Sequence, residues 1–414
     1  MGNFASLSVL QGANYILPFI TVPYLTRVLG PSNYGLIGFA AAFINYFTIL
    51  TGYGFNLSAT KEISLKRDDR EKVSGIFSSV MIIKSALLAL SLILVLVIVL
   101  SFDKFRADAD VYLYSFGLVA GNALFPVWLF QGMERMKYIT YINLAGRVAL
   151  TIAVFVFISE QGDYSLYVIL SSATAVLVGV ASLVCALRVF GIRFVLPSLD
   201  EIKKELIDGW YVFISSISIV LYTSSTTFIL GLFTNNTVVG YYTGADKIRQ
   251  AVQGLFSPVF QTLYPYVNKL AHDSRERALE FMKKEVLALG LVGSFVCLLV
   301  FLNAEFLVGV VLGKEYSASV DLLRILAFAP VLIILGNILT VQCLLSFGLK
   351  RDYSIVYIVS SVVGVLAMVY LTHAYGARGV SFSVVFVETL VIAMTLYRLH
   401  KNNIHLFGAS GKRR

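Results

Sequence analysis

The sequence predicts an all-α integral membrane protein of about twelve transmembrane helices arranged as two pseudo-symmetric six-helix lobes. Three observations predict it. Of 414 residues, 58% are hydrophobic and only 14% charged, about half the charged share of a soluble domain. The apolar residues gather into twelve runs, each long enough to cross a hydrocarbon layer as a helix. A weak internal repeat then relates the first half of the chain to the second. A soluble domain has no place to bury so much apolar material, so a soluble enzyme, a disordered chain and a disulfide scaffold are excluded.

Polar breaks between apolar runs set the spans, in order, at 5–26, 34–58, 76–100, 110–130, 138–158, 164–187, 209–231, 238–266, 283–303, 318–346, 352–373 and 378–398. Most are apolar on every face, and no ten-residue alternation of a membrane barrel occurs. Positive charge orients them. Of 33 Lys and Arg, 23 fall on the side holding the even-to-odd loops and the C-terminal tail. Only Arg27, Lys104, Arg106, Lys314 and Arg378 fall on the other side, and five lie inside spans. The positive-inside rule makes the first side, and both termini, cytoplasmic. The net charge of +9 is thereby explained without nucleic acid. No basic run precedes the first apolar stretch, so that span is expected to be retained.

Shifting the chain by 205 residues aligns 35–77 with 240–282. Gly35, Ala40, Leu50, Phe55, Leu65, Asp68, Arg70 and Glu71 then meet their like. Gly121-Asn122-Ala123-Leu124 echoes Gly336-Asn337-Ile338-Leu339. Two repeats imply an N-terminal lobe at 1–200 and a C-terminal lobe at 201–414, joined by the connection at 188–208. Repeat interfaces are where transporters of this kind bind substrate.

Charges inside a bilayer are costly and mark functional candidates. Arg147, Lys247, Arg249 and Lys84 lie inside spans, whereas the deep acids are Asp246 and Glu388. Cations exceed acids, and the surplus calls for water or an anionic ligand. Asp246 and Arg249 are spaced for an i,i+3 pair, as are Asp321 and Arg324. Polar stripes at helical spacing add Gln11, Asn14, Pro18 and Thr21 in the first span, and Gly38, Asn45, Thr48, Gly52 and Asn56 in the second. Ser215, Ser218, Tyr222 and Ser225 form one in the seventh, and Asp246, Arg249, Gln250, Gln253, Ser257 and Gln261 another in the eighth. Each stripe alone serves helix–helix hydrogen bonding as well as a cavity; four in repeat-related spans favour a shared aqueous cavity. Six of the eight prolines fall in spans, where each removes a helix hydrogen bond.

Catalytic motifs are absent. The glycines from Gly309 to Lys314 are one residue short of a phosphate loop, and Glu315 stands where Ser or Thr is needed. Cys185, Cys297, Cys343 and the four histidines form no metal-ligand spacing. No metal, cofactor or enzymatic activity is expected. A membrane glycan polymerase is disfavoured by the short outer loops.

Several segments are similar to a known family. These are Pro23-Tyr24-Leu25-Thr26-Arg27-Val28-Leu29-Gly30-Pro31 with Tyr34-Gly35, Trp128-Leu129-Phe130-Gln131-Gly132-Met133-Glu134-Arg135-Met136-Lys137-Tyr138, Gly240-Tyr241-Tyr242 with Ala245-Asp246-Lys247-Ile248, Tyr264-Pro265, and Gly313-Lys314-Glu315-Tyr316. Together they resemble the Wzx-type O-antigen flippases, polysaccharide transporters of the multidrug/oligosaccharidyl-lipid/polysaccharide superfamily. The resemblance covers about 20–350. It implies a twelve-helix protein of the bacterial inner membrane with two lobes around a central cavity. Such a protein translocates an undecaprenyl-pyrophosphate-linked oligosaccharide between leaflets, with membrane lipids and the polymerase and chain-length proteins of the same pathway as further partners. On that reading Arg147 and Lys247 hold the pyrophosphate, with Arg249, Lys84 and Arg27 as secondary contacts. Asn14, Asn45 and Gln253 contact the sugars, and Asp246 or Glu388 couples the cycle to a proton or sodium gradient. Arg suits this task because it grips phosphate oxygens with two parallel hydrogen bonds. The alternatives are a sister exporter of another lipid-linked glycan or small molecule, and the polymerase.

Overall fold

The computed structural model describes residues 2–223, 225–404 and 406, with side chains at 2–16, 18, 211, 215, 216 and 218–223 left out. Of the described residues, 89% are helical. Among the described residues, eight helical segments are long and apolar enough to cross a membrane, and two of these bend sharply, at Gly30 and Gly376. It divides into two compact units, 1–217 and 218–414; the sequence drew that division at 200/201.

The first unit opens with α1 (Gly2–Gly52). Gly30 interrupts it with φ 70° and ψ 170°, a conformation that only glycine adopts without strain. The two limbs on either side carry the first two predicted spans, the second of which (34–58) runs on through the turn at Tyr53–Gly54 into the next helix. After a turn come α2 (Phe55–Lys66) and α3 (Arg70–Ser101), the latter capped by Asp69, which accepts from the Lys72 N–H at 3.1 Å. The short α4 (Asp103–Arg106) leads to α5 (Ala109–Leu124) and α6 (Val127–Gly132). The span predicted at 110–130 is therefore broken, because Pro126 has no N–H to continue α5. Then follow α7 (Met136–Phe157), α8 (Tyr164–Phe190) and α9 (Leu199–Thr223).

The motif residues of this unit turn out to be packing devices. Trp128, Leu129 and Phe130 are fully buried in one apolar cluster with Phe77, Ile63 and Phe190. The Arg135 N–H returns to the Phe130 carbonyl at 2.8 Å, closing the reversal at Glu134, whose φ is 55°. Tyr24 ties α1 to the end of α7 through a 2.6 Å hydrogen bond from its hydroxyl to the Ile158 carbonyl. Helices α5 and α8 approach until backbones touch. A Cβ on Gly121 would lie 2.3 Å from the Ala175 carbonyl carbon, and one on Gly179 would lie 2.6 Å from the Gly121 oxygen. Such small-residue contacts stand in for a hydrophobic driving force between helices in lipid. The first turns of α9 belong to this unit too. Lys204 pairs with Glu62 on α2, and Gly209 packs against Tyr53.

The second unit continues with α10 (Ser225–Phe233), α11 (Asn236–Gly254), α12 (Ser257–Asp273) and α13 (Arg275–Leu302). Asn235 caps α11 by accepting from the Val238 N–H at 3.0 Å, and Ser274 caps α13. The span predicted at 238–266 is divided at Leu255–Phe256, with Pro258 in the first turn of α12, where a missing N–H costs nothing. After α14 (Ala304–Val311), the span predicted at 318–346 resolves into α15 (Ser319–Leu326), α16 (Ala329–Gly336) and a π-helical segment, Asn337–Leu344. Pro330 again starts a new helix. Finally α17 (Lys350–Lys401) bends at Gly376, φ 57° and ψ −133°, into the two limbs predicted as the last spans.

Here also motif residues hold elements together. Ser319 Oγ donates to the Tyr241 carbonyl at 2.8 Å, and the fully buried Tyr316 meets Tyr241 edge-on. The limbs of α17 are pinned by Arg398–Asp352 at 3.3 Å and Arg378–Asp321 at 2.6 Å. The Arg324–Asp321 pair read from the sequence is present at 3.9 Å, longer than the pair Asp321 makes with Arg378.

Candidate functional site

The second unit contains a cavity of about 440 Å³ between α11, α16, the π segment and α17. The polar stripe of α11 forms one wall. Asp246, Arg249, Gln250 and Gln253 recur at i, i+3, i+4 and i+7, which places them on one helix face. They bond to each other as well as facing the cavity. Arg249 Nε donates to Asp246 Oδ1 at 2.6 Å, and Nη1 donates to Gln253 Oε1 at 2.7 Å. Gln250 Nε2 donates to Asp246 Oδ2 at 2.6 Å. The guanidinium is thus clamped, with its charge met by a carboxylate. Opposite lie Glu388, Tyr353 and Tyr357 of α17, and Asn337 at the start of the π segment. The two tyrosine rings are 4.9 Å apart. With two carboxylates against one guanidinium, the lining holds one acid in excess, and Glu388 lies within electrostatic range of Arg249.

Of the residues expected to bind or couple, this cavity gathers Asp246, Arg249, Gln253 and Glu388. It does not gather Lys247. One residue along the helix is a rotation of about 100°, and Lys247 points away from the cavity lining as an exposed side chain. It makes no hydrogen bond or ion pair with the described residues. Tyr353, Tyr357 and Thr226 also line it without having been singled out, as does Tyr242 of the Gly240-Tyr241-Tyr242 motif. Only the i,i+4 spacing of the first two hinted at them.

The first unit holds the other expected cations, on separate elements. Arg147 is exposed on α7 and has neither an ion pair nor a hydrogen bond among the described residues. Lys84 is 4% exposed, and its ammonium donates to the Asn122 carbonyl at 3.3 Å. Asn122 lies in the last turn of α5, where its carbonyl cannot take the usual i+4 N–H because that residue is Pro126; it accepts from the Phe125 N–H at 3.3 Å and from the Lys84 ammonium. Arg27 is exposed, next to the bend at Gly30. Asn45 is half-buried on the second limb of α1. The Asn14 side chain falls outside the described residues.

A second, smaller cavity of about 230 Å³ lies in the first unit, lined by Glu62, Lys66, Glu201, Lys204 and Glu205 among others. Glu62 takes both Lys66, at 2.7 Å, and Lys204. Glu205, in the polar first turns of α9 ahead of the apolar run, has no such partner for its Oε2. Burial, then the neighbouring Glu62 carboxyl, pushes Glu205 up to about 8. Sequence reading missed this cluster because its two halves lie far apart along the chain. Among the described residues no group of His, Cys, Asp and Glu is arranged to hold a metal ion.

Comparison with known proteins agrees with this architecture. An Escherichia coli (strain K12) protein named "Putative O-antigen transporter" is 33% identical over 403 residues, covering 97% of each chain. A Shigella dysenteriae protein of the same name is 28% identical over 403 residues, covering 95% of this chain and 98% of its own. Among solved structures, the lipid II flippase MurJ in an inward closed conformation matches with a TM-score of 0.74 at 12% identity, over 95% of this chain and 87% of its own. An inward-facing MATE multidrug transporter matches with a TM-score of 0.66 at 16% identity, over 95% and 96%. At such identities these two establish the all-helical fold alone. The family model described as "Polysaccharide biosynthesis protein" matches residues 1–271. This chain belongs to the polysaccharide biosynthesis protein family.

Proposed function

We propose that the protein is a flippase. It carries an undecaprenyl-pyrophosphate-linked oligosaccharide of the O-antigen kind from the cytoplasmic to the periplasmic leaflet of the bacterial inner membrane, by alternating access. The names of its relatives support a transported lipid-linked glycan, and the distribution of Lys and Arg supports cytoplasmic termini. The observation that carries the reading is a division of labour among intramembrane charges. Arg249 is committed to Asp246 and Gln253. Arg147 and Lys247 are exposed and have no acid or hydrogen-bond acceptor among the described residues. A cation held that way in an apolar span is costly unless an anion visits it, and a pyrophosphate is such an anion.

In this scheme Arg147 and Lys247 meet the pyrophosphate, with Arg27 and Lys84 as secondary contacts. Arg249 acts through its fixed orientation. Gln253, Asn45 and Asn14 offer hydrogen bonds to sugar hydroxyls, and the lipid tail stays in the bilayer. The acid-excess cavity of the second unit is the coupling element, where Asp246 or Glu388 takes a proton or sodium ion during each cycle. Deleting the gene tests the reading. Single lipid-linked repeat units should accumulate on the cytoplasmic leaflet; accumulation outside, unpolymerised, would instead indicate a polymerase. Full transport after both acids are neutralised would remove the coupling role.

One observation favours a second reading. An acid-excess cavity with paired tyrosine rings suits an organic cation. A small-cation exporter would make cells lacking the gene accumulate such compounds while their lipid-linked glycans stay normally distributed.

A further inference from the structure

Among the described residues of the second unit, two of the buried side-chain oxygens without a hydrogen-bond partner belong to the two side chains of a single contact. Glu285 on α13 is 5% exposed, and Gln342 on the π segment is fully buried. Gln342 Nε2 donates to Glu285 Oε1 at 2.8 Å. The other oxygen of each group, Glu285 Oε2 and Gln342 Oε1, has no partner among the described residues. With Glu285 ionised, the contact would leave a bare anionic oxygen and a bare carbonyl oxygen in the core. Each is an acceptor, and burying both unpaired costs several kcal/mol.

Among the described residues no cation pairs with Glu285 to offset that cost. The elements packed against α13 are α12, α14, α15, α16 and the π segment. Their titratable groups are Tyr264, Tyr266, Lys269, His272 and Asp273 on α12, Glu305 on α14, Asp321 and Arg324 on α15, and Cys343 on the π segment; α16 has none. On α13 itself, Lys284 pairs with Glu280, and Lys283, Arg275, Glu276, Arg277 and Cys297 make no ion pair with Glu285. Arg324 pairs with Asp321. None of these groups bonds to Glu285.

A single proton satisfies both orphan oxygens. A carboxylic acid and a primary amide are complementary: the amide N–H donates to the acid carbonyl, while the acid O–H donates to the amide carbonyl. The first of these bonds is present, and the second would join the two atoms that lack a partner. We propose that Glu285 and Gln342 form a proton-binding site, in which Glu285 carries a proton on Oε2 and donates it to Gln342 Oε1. Release of the proton to water leaves a carboxylate facing an amide carbonyl, two acceptors that repel, so the ring opens and α13 separates from the π segment. The π segment begins at Asn337, which lines the larger cavity. π-Helical turns are marginal relative to α-helix and recur at functional sites. Proton release is thereby transmitted to the cavity wall. This last step rests on the transport reading; protonation of Glu285 does not.

Infrared spectroscopy of the full-length protein at neutral pH tests it, using the carbonyl stretch of protonated carboxylic acids. The wild type should show a component that Glu285→Gln removes and Gln342→Leu shifts, because Leu deletes the amide partner. Gln at 285 can keep a paired ring with Gln342, so that variant should fold, with a melting temperature close to wild type. An unchanged protonated-carboxyl band in a folded Glu285→Gln protein would overturn the proposal. So would an ionised Glu285 whose protein is stabilised by added sodium, since that is a cation site. Failure of the wild type to move lipid-linked glycan would count against the transport reading and leave the band untouched. Flipping with wild-type pH dependence in Glu285→Gln would overturn the link to the cavity.

Discussion

Lys247 and Arg249 are two residues apart and face different surroundings. Arg249 is held by Asp246 and Gln253 in the cavity wall, while Lys247 is exposed on another face of the same helix. The i,i+3 pair and the polar stripe were legible in the sequence because helical periodicity alone fixes them. That Lys247 lies off the stripe was legible by the same arithmetic. Tyr353, Tyr357 and Asn337 were not, because their role depends on which face α17 and the π segment turn toward α11. Asp246→Ala should destabilise the protein by about 3 kcal/mol, since it strands a largely buried guanidinium; a chemical melt against wild type checks it. Glu205 gives a pH signature. Its folded value is raised to about 8, so the folded chain holds a proton that an unfolded carboxyl has lost above its ordinary value of about 4.3. The stability this contributes is full below that ordinary value and lost as pH rises through about 8. Thermal melts across this window should show a decline with rising pH that Glu205→Gln flattens.

At the scale of elements, each of the twelve apolar runs lies mostly on helical residues among those described, because length and hydropathy dictate a helix in lipid regardless of its neighbours. The interruptions were less visible. Prolines at 126, 258 and 330 mark three of them, but Pro265 sits inside α12 without ending it. The bends at Gly30 and Gly376 are set by backbone conformation that composition does not reveal. Close helix contacts were also hidden, since Gly121 and Gly179 meet across 58 residues of sequence. Replacing Gly121 by Leu should cost at least about 3 kcal/mol, because a Cβ there already collides with the Ala175 carbonyl and the backbones cannot give way. Reduced yield of folded protein and a lowered melting temperature, with Gly309→Leu as a control in open space, check this.

For the molecule as a whole, the family follows from a match running through most of the chain. The motif residues that carry the resemblance, such as Trp128, Tyr24 and Tyr316, mostly hold each unit together rather than lining its cavity. The resemblance therefore reported architecture more directly than chemistry. The proposed chemistry rests on Arg147 and Lys247, exposed on one unit each and without an acid partner among the described residues. The most direct test measures the leaflet distribution of the lipid-linked repeat unit in cells whose only copy is Arg147→Ala/Lys247→Ala, inserted in the membrane at wild-type level. The repeat unit should build up on the cytoplasmic leaflet, with flipping reduced at least about tenfold, the effect of about 1.4 kcal/mol of lost binding to the pyrophosphate. A wild-type distribution in that strain would contradict the assignment of these two cations to the transported head group.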